Sequence, residues 1–124
     1  MRYLLDTNSC IYLLTNVSSA LTARVAATKA GDVVVSSISL AEIGLGTQRG
    51  KPPIQSVLNA FTAEVPVLPF DEAGAWAYAR LPFQRGNFDR LIAAHAMSLG
   101  LAVITRNVKD FGDVPGLRLE DWTV

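Results

Sequence analysis

The chain has 124 residues, half of them apolar and 18% charged, which gives it room for one buried core and little scope for disorder. Eleven basic and eleven acidic side chains cancel, which excludes the broad positive field of a protein that coats duplex DNA; any nucleic-acid contact must be local, or helped by a metal ion or a second subunit. A lone cysteine excludes an intrachain disulfide framework, and no apolar run approaches the roughly 20 residues needed to span a bilayer.

From the amino end, Tyr3-Leu4-Leu5 reads as a short strand buried on both faces, and Asp6 follows it too early for a signal peptide. The expected compartment is the cytoplasm, with no membrane contact. Weak helical signals cover Ile11 to Leu14 and Ser19 to Lys29, and Val33-Val34-Val35 is a second buried strand. Leu40 to Thr47 is weakly helical. A turn at Gly50-Lys51-Pro52-Pro53 then opens an apolar stripe of Ile54, Val57, Leu58 and Phe61. Val65 to Leu68 reads as the third strand and Glu72 to Arg80 as a helix. Phe88, Leu91, Ile92, His95, Ala96 and Leu99 repeat at helical spacing for three turns, with Gly100 placed to end that helix. Ala102-Val103-Ile104 and Leu117-Arg118-Leu119 complete the strands. Such alternation predicts one α/β domain over residues 1–124, a five-stranded, mostly parallel sheet with helices on both faces.

Ligands of open parallel sheets collect beyond the carboxyl ends of the strands. Asp6-Thr7-Asn8 follows the first strand. Ser36-Ser37-Ile38-Ser39 follows the second, with Glu42 expected in the first turn of the next helix. Thr105-Arg106-Asn107 follows the fourth, with Asp110 one turn on. Asp89 starts the helix that runs back to the fourth strand, so it too lies near the carboxyl edge. Crowded carboxylates repel unless a cation neutralises them, and oxygen-only clusters suit Mg2+ or Mn2+ rather than zinc. The chemistry that fits is hydrolysis of a phosphodiester by water activated by the cation.

The segments Tyr3-Leu4-Leu5-Asp6-Thr7-Asn8, Ser37-Ile38-Ser39-Leu40-Ala41-Glu42-Ile43, Asp89-Arg90-Leu91-Ile92-Ala93-Ala94-His95-Ala96 and Val103-Ile104-Thr105-Arg106-Asn107 resemble the PIN-domain family. More narrowly they resemble the VapC toxins of toxin–antitoxin pairs, and the resemblance runs from Met1 to Trp122. It implies a single PIN-like domain, a homodimer, a magnesium site that cuts RNA to leave a 5′-phosphate, and a small antitoxin that occludes that site. Position by position, the matching acids are Asp6, Glu42 and Asp89. Asp6 and Asp89 would ligate the metal, while Glu42 would bind through water or help deprotonate the nucleophile. Asn107 stands at the family's fourth position with Asp110 close behind, and Thr105 adds a polar group to the rim. Arg85, Arg90, Arg106 and Lys109 flank the acids as candidate phosphate contacts, with solvated surface as the alternative.

Each acid also has a structural reading. Ser39-Leu40-Ala41-Glu42 is an S-x-x-E capping box; Asp6 suits a helix cap; Asp89 suits the helix dipole behind an Asn87 cap. His95 reads as a packed core histidine and Cys10 as a small core residue. Trp76, Tyr78 and Trp122 read as core or interface rather than stacking platforms. Two other functions compete: a catalytically silent RNA- or protein-binding module, and a phosphorylated receiver with Asp71 after its third strand.

Overall fold

The computed structural model describes residues 1–82 and 86–124. Its elements, in chain order, are β1 (Tyr3–Leu5), α1 (Thr7–Leu14), α2 (Ser19–Ala27), β2 (Val33–Ser36), α3 (Ser37–Gln48), α4 (Gln55–Glu64) and β3 (Val67–Leu68). Then come α5 (Glu72–Ala79), α6 (Phe88–Leu99), β4 (Ala102–Ile104), a 3-10 turn (Val108–Phe111) and β5 (Leu119–Glu120). Among the described residues no single helix is long and apolar enough to cross a membrane.

The sheet has five strands in the order β3-β2-β1-β4-β5, and every recorded pairing is parallel. Strand alternation divides the core in two. Leu5, Val33, Val35 and Ile104 face one way, onto Cys10, Leu21, Ile43, Leu58 and Phe61 from α1 to α4. Leu4, Val34 and Val103 face the other way, onto Ile92, Ala93 and Ala96 of α6 and Phe111 beyond β4. Both faces are covered, so β1, β2 and β4 carry continuous apolar runs rather than alternating ones. β1 sits at the centre, flanked by β2 and β4. The chain order reverses between β1 and β4, and this opens the crevice in which such sheets bind ligands.

The predicted layout holds, with shifts at element ends. β3 is shorter than Val65 to Leu68 because Val65 caps α4 and Pro66 contributes only its carbonyl, to Val35 N–H. β5 begins at Leu119 rather than Leu117, although Arg118 O already accepts from Val103 N–H. Gly100 ends α6 in the left-handed region (φ 68°), where a side chain would be strained. α3 starts at Ser37, three residues before the predicted Leu40. Ser36 is its cap, its Oγ accepting from Ile38 N–H at 3.0 Å. Glu42 therefore lies beyond the first turn, and the Ser39–Glu42 capping box does not form.

Candidate active site

Asp6 ends β1 at the crevice. Its backbone N–H donates to Ile104 O at 3.0 Å, tying it to β4, and Oδ1 accepts from Ser9 N–H at 2.8 Å as the cap of α1. The side chain is buried. Capping and site geometry coexist here, because the cap fixes one oxygen and so orients the whole carboxylate. Ser9 adds a second tie, its Oγ donating to Ile104 O at 3.0 Å.

Glu42 reaches the same place from α3. Thr7, next to Asp6, donates its hydroxyl to Glu42 Oε1 at 2.6 Å, and Ser39 Oγ lies 3.1 Å from Thr7 Oγ1. A hydroxyl has one proton, so with Thr7 committed to the carboxylate, Ser39 is left to donate to Thr7. This chain of hydroxyls ties Glu42 to Thr7, the residue after Asp6. The sequence reading missed Thr7 and Ser39 as site residues; their adjacency to Asp6 and Glu42 was the available signal.

Asp89 follows the Asn87 cap, whose Oδ1 accepts from Arg90 N–H at 3.1 Å. Burial, then the charges of Asp6, Asp110 and Glu42, push the Asp89 carboxyl up to about 6. Three acids, Asp6 at the end of β1, Glu42 of α3 and Asp110 of the 3-10 turn, thus act on this one carboxylate of α6. Among the described residues no three Asp, Glu, His or Cys side chains form a ready-made metal cage. Mg2+ does not require one: it keeps several waters and takes one or two carboxylates. The donor set is all oxygen, its charges are mutually repulsive, and it fits a hard divalent ion.

The predicted rim divides. Thr105 is fully buried rather than on a rim, and its Oγ1 accepts from Asn107 N–H at 3.0 Å, pinning the turn after β4. Asn107 and Asp110 are exposed on that turn. Of the basic residues, Arg90 is a correction. It is buried, its guanidinium pairs with Asp113 at 2.8 Å and donates to Pro82 O at 2.6 Å, and it has no face left for a phosphate. Arg106 and Lys109 are exposed, and Arg85 lies outside the described residues.

The other readings resolve on the same geometry. His95 is buried edge-on to Phe70, with Nδ1 2.8 Å from Ser36 Oγ. Burial lowers its pKa, so it is a neutral core histidine whose Nδ1 accepts the Ser36 proton. The Cys10 thiol is wholly buried, and burial pushes its pKa far above the usual range, as suits a packed, unreactive group. Trp122 is core, edge-on to Tyr3, whereas Trp76 is exposed. Asp71 caps α5 by accepting from Gly74 N–H at 3.2 Å, a structural role that removes the one feature favouring a receiver.

The model of the PIN domain family matches residues 3–117. The chain belongs to the PIN-domain family, whose ribonucleases are metal-dependent. A tRNA(fMet)-specific endonuclease VapC of Shigella flexneri is 33% identical over 132 aligned residues, covering 99% of each chain. Ribonuclease VapC1 of Haemophilus influenzae (strain R2866) is 37% identical over 134 residues, again 99% of each. The crystal structure of VapBC2 from Rickettsia felis, bound to a DNA fragment from its promoter, superimposes with a TM-score of 0.85. It is 30% identical and covers 98% of this chain and 99% of its counterpart. Within the family, the chain is a ribonuclease of the VapC toxin type.

Proposed function

We propose that the chain is the toxin of a toxin–antitoxin pair in the cytoplasm, a homodimer that hydrolyses RNA phosphodiesters with Mg2+, or Mn2+, held by Asp6 and Asp89. What supports this reading is the Asp89 carboxyl, pushed up to about 6 by burial and then by the charges of Asp6, Asp110 and Glu42, together with the Thr7 hydroxyl that ties Glu42 to the residue after Asp6. The cation would neutralise that repulsion and stabilise charge developing on the phosphate. Asp6, fixed by Ser9 N–H, and Asp89, at the start of α6, would hold it. Glu42, held by Thr7, stands ready to take the proton of the attacking water. Transfer RNA is the first substrate class to test, since relatives at 33% and 32% identity are tRNA(fMet)-specific endonucleases. A small antitoxin partner is inferred from the VapBC complexes to which the fold is similar.

The test is incubation of purified protein with mixed bacterial tRNA, with magnesium or with chelator. Cleavage with 5′-phosphate ends, abolished by chelator, is expected. Intact RNA under both conditions would favour the silent binding module instead.

A further inference from the structure

Beyond the acids, on the β4–β5 side of the crevice, a cavity of about 550 Å³ opens between the α1–α2 turn and the C-terminal tail. Its walls include Tyr12, Val17 and Ser18 on one side and Asp121 and Thr123 on the other, with Arg106 between them. Arg106 follows Thr105 directly, on the turn pinned by the Asn107 N–H to Thr105 Oγ1 bond. Its guanidinium stands over the Tyr12 ring, 5.8 Å from the ring centre, a weak attraction that favours this placement of an exposed side chain. Among the described residues it makes no ion pair, whereas Arg90 pairs with Asp113 and Arg24 with Glu120. The one acidic side chain on the cavity wall, Asp121, is engaged locally, its Oδ1 accepting from Thr123 N–H at 2.8 Å and from Thr123 Oγ1 at 2.6 Å, and Val124 lines the same wall. A cation with no ion-pair partner among the described residues therefore faces a nucleotide-sized opening, one residue beyond Thr105 at the end of β4.

That placement answers a physical need. The chain carries no net charge, and its acid cluster repels RNA phosphates, so affinity requires a local positive contact on strand flanking the cut. We propose that this cavity is a subsite for the phosphate of an RNA nucleotide flanking the scissile bond, held by the edge of the Arg106 guanidinium while Tyr12 supports its face. The proposal rests on RNA being the substrate, as argued above.

Binding of mixed bacterial tRNA is measured over a range of KCl concentrations, in a cleavage-inactive Asp6→Asn background. Adding Arg106→Gln is expected to weaken binding about tenfold at low salt, the loss of one charge-assisted bond. The slope of log affinity against log salt should fall by about one. Arg106→Lys, which keeps the charge, should restore the slope. In the cleaving protein, the loss should fall on KM rather than kcat. Unchanged affinity and slope in Arg106→Gln would overturn the subsite, as would failure of the Asp6→Asn parent to bind tRNA at all. Because binding is read without cleavage, an inactive wild type would sink the nuclease reading alone.

Discussion

Asp6→Asn is expected to lower RNA cleavage by at least about a hundredfold, since removing even an outer support of a bound metal costs about 10- to 100-fold. The fold should survive. An asparagine Oδ1 still accepts from Ser9 N–H, and Asn and Asp are equivalent helix caps, so α1 keeps its start. Removing a charge from beside Asp89 also relieves repulsion in the metal-free protein, so its melting temperature should equal or exceed that of wild type. Cleavage rate and thermal unfolding, measured on the same preparation, separate the two roles of this residue. Loss of both together would mean that Asp6 serves the fold and that its place at the site is incidental.

The largest stability effect is expected at Arg90. Arg90→Ala removes a buried guanidinium from Asp113 and from Pro82 O and leaves a void at the start of α6. Breaking a buried pair costs about 3–5 kcal/mol; Asp113 remains partly in water, so about 2 kcal/mol is the better expectation. Asp113→Asn, which leaves the buried Arg90 charge facing a neutral amide, should also destabilise, by a comparable amount. Urea unfolding midpoints give both values. If Arg90 instead held RNA, Arg90→Ala would unfold like wild type and lose affinity for RNA.

These two residues show how far the sequence carried. The strands at Tyr3–Leu5, Val33–Ser36 and Ala102–Ile104 were readable because both faces are buried and the apolar runs are unbroken. α6 was readable from its long apolar stripe and Gly100. Their order then brought Asp6, Glu42 and Asp89 to one edge without any knowledge of contacts. What failed was decided at long range. Ser36, Ser37 and Ser39 are all plausible caps for α3, and the pattern Ser39-x-x-Glu42 pointed to the wrong one. The choice was made where β2 ends, at a serine whose hydroxyl also serves His95 from α6. Glu42 instead answers Thr7, 35 positions away, and Arg90 answers Asp113, 23 positions away. Neither partner leaves a local periodic signal, so a charged side chain in a helical pattern reads as surface until the fold supplies its counterion.

Calorimetric titration of the metal-free protein with Mg2+ and with Mn2+, at pH 7.5 and again near pH 5, tests the shared-pocket claim most directly. A raised carboxyl means that the folded, metal-free chain takes up a proton at Asp89 as pH falls through about 6, a proton the unfolded chain would release until lower pH. The metal-free fold thus gains stability on acidification, while the cation must displace that proton. The expected result is saturable binding at pH 7.5, lost in Asp6→Asn and in Asp89→Asn, and weakened in wild type as pH drops below about 6. Binding in both variants that matches wild type, or no saturable binding at all, would contradict it.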